Sequence, residues 1–190
     1  MDRFGEAHRL DATLAADVQR REVWSWVLRV AELLGCRAGL KAKKLSALVA
    51  DLEPPPPAVA KRGATLSLSQ LSLGPNDGVR VLVKVVAPLP QLPTRCHHSF
   101  VVADALERVM ALSVYHLLDP ASFAVGATLE IAEPHLVRVE ASHWADVGTD
   151  GVDADVAAAP APSAGYHLIR VEHPAAQVRH HQTGVYRAQR

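Results

Sequence analysis

The spacing of hydrophobic positions changes near residue 63 and divides the chain into two parts. Before that point, apolar side chains recur every three to five residues, as on one face of an amphipathic helix. They are Leu14, Val18, Val23, Val27, Val30 and Leu34, followed by a second stripe at Leu40, Leu45, Leu48, Val49 and Leu52. Residues 1–52 are therefore predicted to be helical, with a break between Gly35 and Gly39.

Four consecutive prolines, Pro54 to Pro57, follow the helical part. Proline cannot continue a helix, because it lacks the backbone N–H, and a run of prolines favours the extended polyproline II conformation. We therefore predict a semi-rigid linker over residues 53–63 and place a domain boundary there.

Beyond the linker the period becomes two, which is typical of β-strands. Val79, Val81, Val83 and Val85 would form one face of a strand, with Arg80, Leu82, Lys84 and Val86 on the other. Other strands are predicted near residues 66–73, 98–104, 109–115, 127–132, 136–142 and 166–173. A short helix fits between Leu117 and Val125, since Asp119-Pro120 supplies a cap and a first helical residue.

The order of these elements predicts the fold class. A short helix between the third and fourth of five strands is the order of the oligonucleotide/oligosaccharide-binding (OB) fold, a Greek-key barrel. We expect a mainly β protein with an α-helical N-terminal segment (α+β) and a five- to six-stranded barrel over residues 64–174. Residues 145–164 lack periodicity and are predicted to be a disordered loop, and residues 175–190 a flexible tail.

Composition and charge narrow the function only slightly. The 20 basic and 20 acidic residues cancel, so any electrostatic partner must bind a local patch. No run of about 18 apolar residues occurs, so no membrane span is expected, and the N-terminus lacks the apolar region of a signal peptide. Cys36 and Cys96 fit no ligand spacing and are expected to be reduced thiols.

The sequence carries no recognisable motif for catalysis or metal binding. A nucleophile elbow, a phosphate-binding glycine loop and a zinc-protease motif are all missing, so a non-enzymatic protein without cofactor or small-molecule substrate is expected. Cys96-His97-His98 and His180-His181 lack the spaced pairs of a zinc site. The aspartates between Asp146 and Asp155 lack the spacing of a calcium loop.

An OB barrel binds its ligands on strands two and three and on the flanking loops, where basic and aromatic side chains combine. The candidates for this face are Lys84, Arg95, Phe100, Arg108 and Tyr115. Aromatic residues make up only 5% of the chain, and both aromatic candidates could equally belong to the core. A barrel that binds proteins is therefore a better interpretation of the residues than a general single-strand binder.

A second candidate surface is a cluster of four cations within eight positions, with no acid among them: Arg37, Lys41, Lys43 and Lys44. The three lysines fall in the first turn of the second predicted helix, where the helix dipole disfavours positive charge. Two interpretations stay open, an ordinary solvated helix face and a helix that docks on a partner.

Several motifs occur in an order that resembles one protein family. They are Gly39-Leu40-Lys41-Ala42-Lys43-Lys44-Leu45, Gly78 to Val86, Val114-Tyr115, Gly126-x-x-x-x-Ile131-Ala132-Glu133-Pro134-x-Leu136 and Ile169-x-Val171-Glu172-x-Pro174. Together they resemble the C-terminal region of the tetratricopeptide repeat protein 5 (Strap) family, in which an array of repeats precedes an OB-fold domain. The resemblance implies that residues 1–52 are the remnant of a repeat, near Phe4 to Asp11, followed by a basic docking helix.

The resemblance also implies two alternative functions. The family engages ribosomes that translate tubulin and triggers decay of that messenger, which implies a cytoplasmic adaptor that contacts ribosomal RNA, or another large anionic partner, through Arg37, Lys41, Lys43 and Lys44. The family is also a cofactor of a histone acetyltransferase coactivator. That role implies a nuclear OB domain that binds coactivators, chromatin or single-stranded nucleic acid. Reading of the nascent tubulin peptide is not expected, since it belongs to the repeat array.

Overall fold

The computed structural model describes residues 16–55, 63–91, 97–117, 119–140 and 165–181, and of residues 16–21 it describes the backbone alone. Two helices come first, α1 (Ala16–Gly35) and α2 (Ala42–Val49), joined through a 3-10 turn (Arg37–Gly39). Arg37, Ala38 and Gly39 all have positive φ angles, so the backbone reverses there. The predicted break between Gly35 and Gly39 is confirmed.

Nine strands follow in the part of the chain that the structure describes. They are β1 (Thr65–Leu66), β2 (Gly74–Pro75), β3 (Arg80–Pro88), β4 (His97–Ala103), β5 (Val109–Tyr115), β6 (Thr128–Ala132), β7 (His135–Val139), β8 (Tyr166–Val171) and β9 (Val178–His181). The predicted short helix is a 3-10 turn, Pro120–Phe123, and the Asp119 side chain caps it by accepting from the Ala121 N–H at 3.0 Å. One further helical turn, α3 (Pro174–Gln177), precedes β9.

The strand pairing closes a barrel. β3 pairs antiparallel with β4 and β6, β4 pairs antiparallel with β5, β5 pairs parallel with β8, and β8 pairs antiparallel with β7. Only Glu133 and Pro134 separate β6 from β7, so the path returns to its starting strand along the chain. The 3-10 turn lies between the third and fourth barrel strands, as predicted for an OB barrel.

The barrel interior is filled by alternate side chains of each strand. Val81, Val83 and Val85 of β3 point inward and are fully buried, which confirms the predicted face of this strand. Phe100 and Phe123 stack on each other inside, with their ring centroids 5.0 Å apart. The 3-10 turn therefore contributes Phe123 to the interior and covers one end of the core.

A second apolar core lies outside the barrel, between the helices and the sheet. Val30 of α1 and Leu45 of α2 are fully buried there, against the outward-facing Val101, Ala103 and Ala111 of β4 and β5. The two alanines let a helix approach the sheet closely, because their side chains are small. The predicted boundary at residues 53–63 therefore does not separate two independent cores.

The chain after Pro174 does not form the flexible tail that was predicted. It forms α3 and then β9, which pairs antiparallel with β6 and brings Val178 opposite Ile131. A four-residue strand is too short for periodicity to reveal, and its partner lies about fifty positions earlier. The predicted disordered loop at 145–164 lies outside the described residues.

Val83 tests the register of the barrel core. Val83→Asp should unfold the domain, because a buried carboxylate without a partner costs several kcal/mol. Val125 is 59% exposed, so Val125→Asp is the matched control and should leave the melting temperature nearly unchanged. Thermal denaturation followed by circular dichroism measures both variants, and equal melting temperatures would contradict this register.

Tyr166 should make stability depend on pH in the alkaline range. Burial raises the pKa of its hydroxyl well above the ordinary value. The folded chain then holds this proton more tightly than the unfolded chain, so stability falls as the pH rises above about 10. Its hydroxyl is buried and bonds to no acceptor or donor among the described residues. Tyr166→Phe should therefore fold normally and lose less stability than wild type between about pH 9 and 11, as measured by urea denaturation.

Candidate anion-binding surface

The four predicted cations lie together at the start of α2. Lys41 is the N-cap residue, and Lys43 and Lys44 belong to the first turn. All three lysines and Arg37 are exposed, and no acid pairs with any of them in the described ranges. No side chain caps this end of the helix, so its free N–H groups and the lysines add to one positive surface.

Contacts on three sides hold α2 in place beneath these lysines. Leu45 and Val49 are buried in the outer core. On one flank the Ser46 hydroxyl donates to Glu107 Oε1 at 2.5 Å. On the other flank, just beyond the helix, Asp51 accepts from Lys84 Nζ at 2.8 Å. The helix therefore presents its lysines from a fixed orientation.

The turn that carries Glu107 is itself fixed by a buried carboxylate. Asp104 is 2% exposed and accepts backbone N–H groups from Leu68, Leu106 and Arg108 at 2.8, 3.0 and 2.9 Å. Three donors compensate for the burial of its charge. Arg108 follows in the same turn with its side chain exposed, so it lies one residue from the contact with α2.

Two residues predicted for the ligand face of the barrel do not lie on an accessible surface. Lys84 is 4% exposed, because α2 and the segment after it cover the outer side of β3, and its ammonium group bonds to Asp51 and to the Gly126 carbonyl oxygen. Phe100 is also 4% exposed, because it occupies an inward position of β4. Both predictions are therefore wrong, and Arg95 lies outside the described residues.

Tyr115 does lie on the outer face, at the end of β5, and is half-buried. Its ring is 5.1 Å from the ring of His97 on β4, and the guanidinium of Arg170 on β8 lies 5.2 Å above it. The rest of the outer face of β4 and β5 is covered by α1 and carries small side chains, including Ser99 and Ser113, whose hydroxyls are 2.7 Å apart. The usual OB ligand face is therefore largely occupied by the chain itself.

Sequence reasoning missed a charged cluster around Glu130. The Glu130 side chain is 13% exposed and lies 3.4 Å from Arg80, 3.9 Å from Arg179 and 3.4 Å from His181. Arg80, Glu130 and Arg179 line a cleft of about 430 Å³. Only the pairing of β9 with β6 brings these groups together, so no sequence pattern announces them. The cluster holds β9 on the barrel.

Two general searches found nothing within the described ranges. No group of three or more histidine, cysteine, aspartate or glutamate side chains is arranged to hold a metal ion there. None of the helices in those ranges has the length and apolar character needed to cross a membrane.

Comparison with known families identifies the barrel. Residues 64–183 match the family model described as the tetratricopeptide repeat protein 5 OB fold domain, which covers more than half of the chain. The chain belongs to this family. The match confirms both the resemblance and the OB fold, and it extends through β9. A search of curated protein sequences found no match.

Membership in the tetratricopeptide repeat protein 5 OB-fold family also sets the functional class. This family of OB domains comprises binding modules, which are generally non-enzymatic. The matched residues begin after the prolines, so α1 and α2 precede the family domain along the chain while packing on its surface.

The ion pair between Asp51 and Lys84 should be needed to seat α2. Asp51→Ala leaves the Lys84 ammonium buried without its partner, and we expect a loss of up to about 3 kcal/mol, since Asp51 itself is half-exposed. Lys84→Met in the same background should restore most of that stability, because an apolar chain of similar length suits the site. Urea denaturation measures both variants. A double variant no more stable than Asp51→Ala would show that the buried charge is not the cause.

Proposed function

We propose that this protein is a non-enzymatic adaptor module that docks on the ribosome by binding RNA phosphates with Arg37, Lys41, Lys43 and Lys44. The observation that carries the proposal is the exposure of all four cations at the uncapped start of a firmly seated helix. A cytoplasmic location follows from this partner, and a protein adaptor could bind elsewhere on the same barrel.

The position of the lysines supports binding rather than stability. Each cation at a helix N-terminus costs about 0.3–1 kcal/mol, because it opposes the helix dipole. No acid in the described parts of the chain offsets this cost for Lys41, Lys43 or Lys44. An RNA phosphate would reverse the sign of the interaction, since both the lysines and the free N–H groups of the first turn attract an anion.

The seating of α2 also favours binding. Leu45 and Val49 anchor the helix in the outer core, so the lysine backbone is already ordered before a partner arrives. Binding then costs less entropy than it would for a flexible basic segment. Contacts with phosphates release condensed counterions, so the affinity should fall steeply as salt concentration rises.

The alternative function, a nuclear OB domain that binds coactivators, chromatin or single-stranded nucleic acid, receives less support from the barrel face. Lys84 and Phe100 are buried, and α1 covers much of β4 and β5. Only Tyr115 and Arg108 of the predicted face are at least partly exposed among the described residues. The alternative therefore serves as a competing outcome of the experiment.

Reversal of two of these charges should abolish ribosome association. Lys41→Glu together with Lys43→Glu changes the local charge by four units, so phosphates would be repelled. The fold should hardly change, because exposed charges contribute about 0–1 kcal/mol to stability. Co-sedimentation with purified ribosomes at several salt concentrations measures the effect.

Two control variants show whether the position of the charge matters. Lys41→Arg with Lys43→Arg keeps the charge and should keep the binding, whereas Lys61→Glu with Arg62→Glu reverses two cations outside the cluster and should weaken binding much less. If the Lys41/Lys43 charge reversal binds ribosomes as well as wild type, the proposal fails and the coactivator function leads.

A further inference from the structure

Four side chains form a continuous row of rings and charge across the outer face of the barrel. Trp26 projects from α1 onto His97 of β4, with ring centroids 5.9 Å apart and planes at 87°. His97 lies on Tyr115 of β5, and Arg170 of β8 lies over the other part of that ring. The pairing register explains the row, because His97 is directly opposite Tyr115 and β8 lies beside β5.

Trp26 is bonded to the barrel as a ligand would be. Its indole Nε1–H donates to the Pro90 carbonyl oxygen at 2.6 Å, in the connection that leaves β3. Its ring also shields His97, which is only 8% exposed. A planar heterocycle that stacks on a ring and donates one N–H to a backbone carbonyl has the interactions by which proteins hold an unpaired nucleobase.

We propose that Trp26 is a built-in occupant of a nucleobase site formed by His97, Tyr115, Arg170 and the Pro90 carbonyl group. Displacement of Trp26 opens this site to one base of a single-stranded RNA or DNA. The site is separate from the basic surface of α2 and does not depend on ribosome docking.

The groups around the site favour a nucleobase over an apolar peptide side chain. The Arg170 guanidinium supplies positive charge beside the Tyr115 ring, which suits the phosphate that follows a stacked base. Its Nε–H is buried and donates to no acceptor within the described residues. A nucleobase carries ring nitrogens and carbonyl oxygens that can accept this proton, whereas an aliphatic side chain offers no acceptor.

Removal of the indole ring tests the proposal. Trp26→Leu keeps an apolar side chain on α1 but vacates the position over His97. Binding of a fluorescent 15-residue oligouridine or oligothymidine, measured by anisotropy, should tighten at least tenfold relative to wild type. Tyr115→Ala in the Trp26→Leu background should reverse most of that gain, because one base stacked on an aromatic ring contributes about tenfold or more to affinity. An unchanged affinity in folded Trp26→Leu would overturn the proposal.

Three controls make the result specific. The Lys41/Lys43 charge reversal in the Trp26→Leu background should keep the gain, and loss of the gain there alone would place the binding on α2 and overturn the site. A gain that survives both Tyr115→Ala and Arg170→Ala would overturn it as well. If Trp26→Leu does not fold, Trp26→Phe takes its place. It keeps a smaller ring, loses the bond to Pro90, and must show the same direction of change.

Discussion

The rest of the molecule depends on the packing of the two N-terminal helices against the outer face of the barrel. Val30 and Leu45 lose all their exposure against a sheet surface built from Val101, Ala103 and Ala111. Burial of apolar side chains from water stabilises the folded state by about 25 cal/mol for each Å² removed. An OB barrel has only a small interior, so this outer core joins the helices to the domain as one folded unit.

This packing determines which surfaces remain available for binding. It covers Lys84, which then requires Asp51 as a partner, and it places the Trp26 ring over His97. It also turns Lys41, Lys43 and Lys44 toward solvent, because Leu45 and Val49 occupy the opposite side of the helix. A ligand face used by other OB barrels is therefore occupied, and a new charged surface is presented next to it.

Two surfaces of different chemistry result. The start of α2 concentrates positive charge without any shape that would read a sequence, which suits a phosphate backbone. The row from Trp26 to Arg170 offers ring surfaces and a hydrogen-bond donor, which suit a single base. The charged cluster around Glu130 has a structural task instead, since its cations lie on β3 and β9 and hold the C-terminal strand on the barrel.

The sequence by itself determined the fold class and the order of the barrel strands. Alternation along β3 placed Val81, Val83 and Val85 inside, and Asp119-Pro120 marked the turn between strands three and four, because these signals are local. It also located the lysines of α2, since four cations within eight positions are visible without coordinates. The family match agrees with that order over residues 64–183.

The tertiary structure decided what each face of the barrel meets. Phe100 and Tyr115 are both aromatic residues on neighbouring strands, yet one lies inside and the other outside, and only the register of β4 and β5 separates them. Lys84 looks like a surface lysine until α2 covers it, and β9 exists only because β6 offers an edge about fifty positions earlier. Local spacing sets which residues share a face, but long-range packing sets whether that face is core, contact or solvent, because burial depends on residues that are distant in the chain.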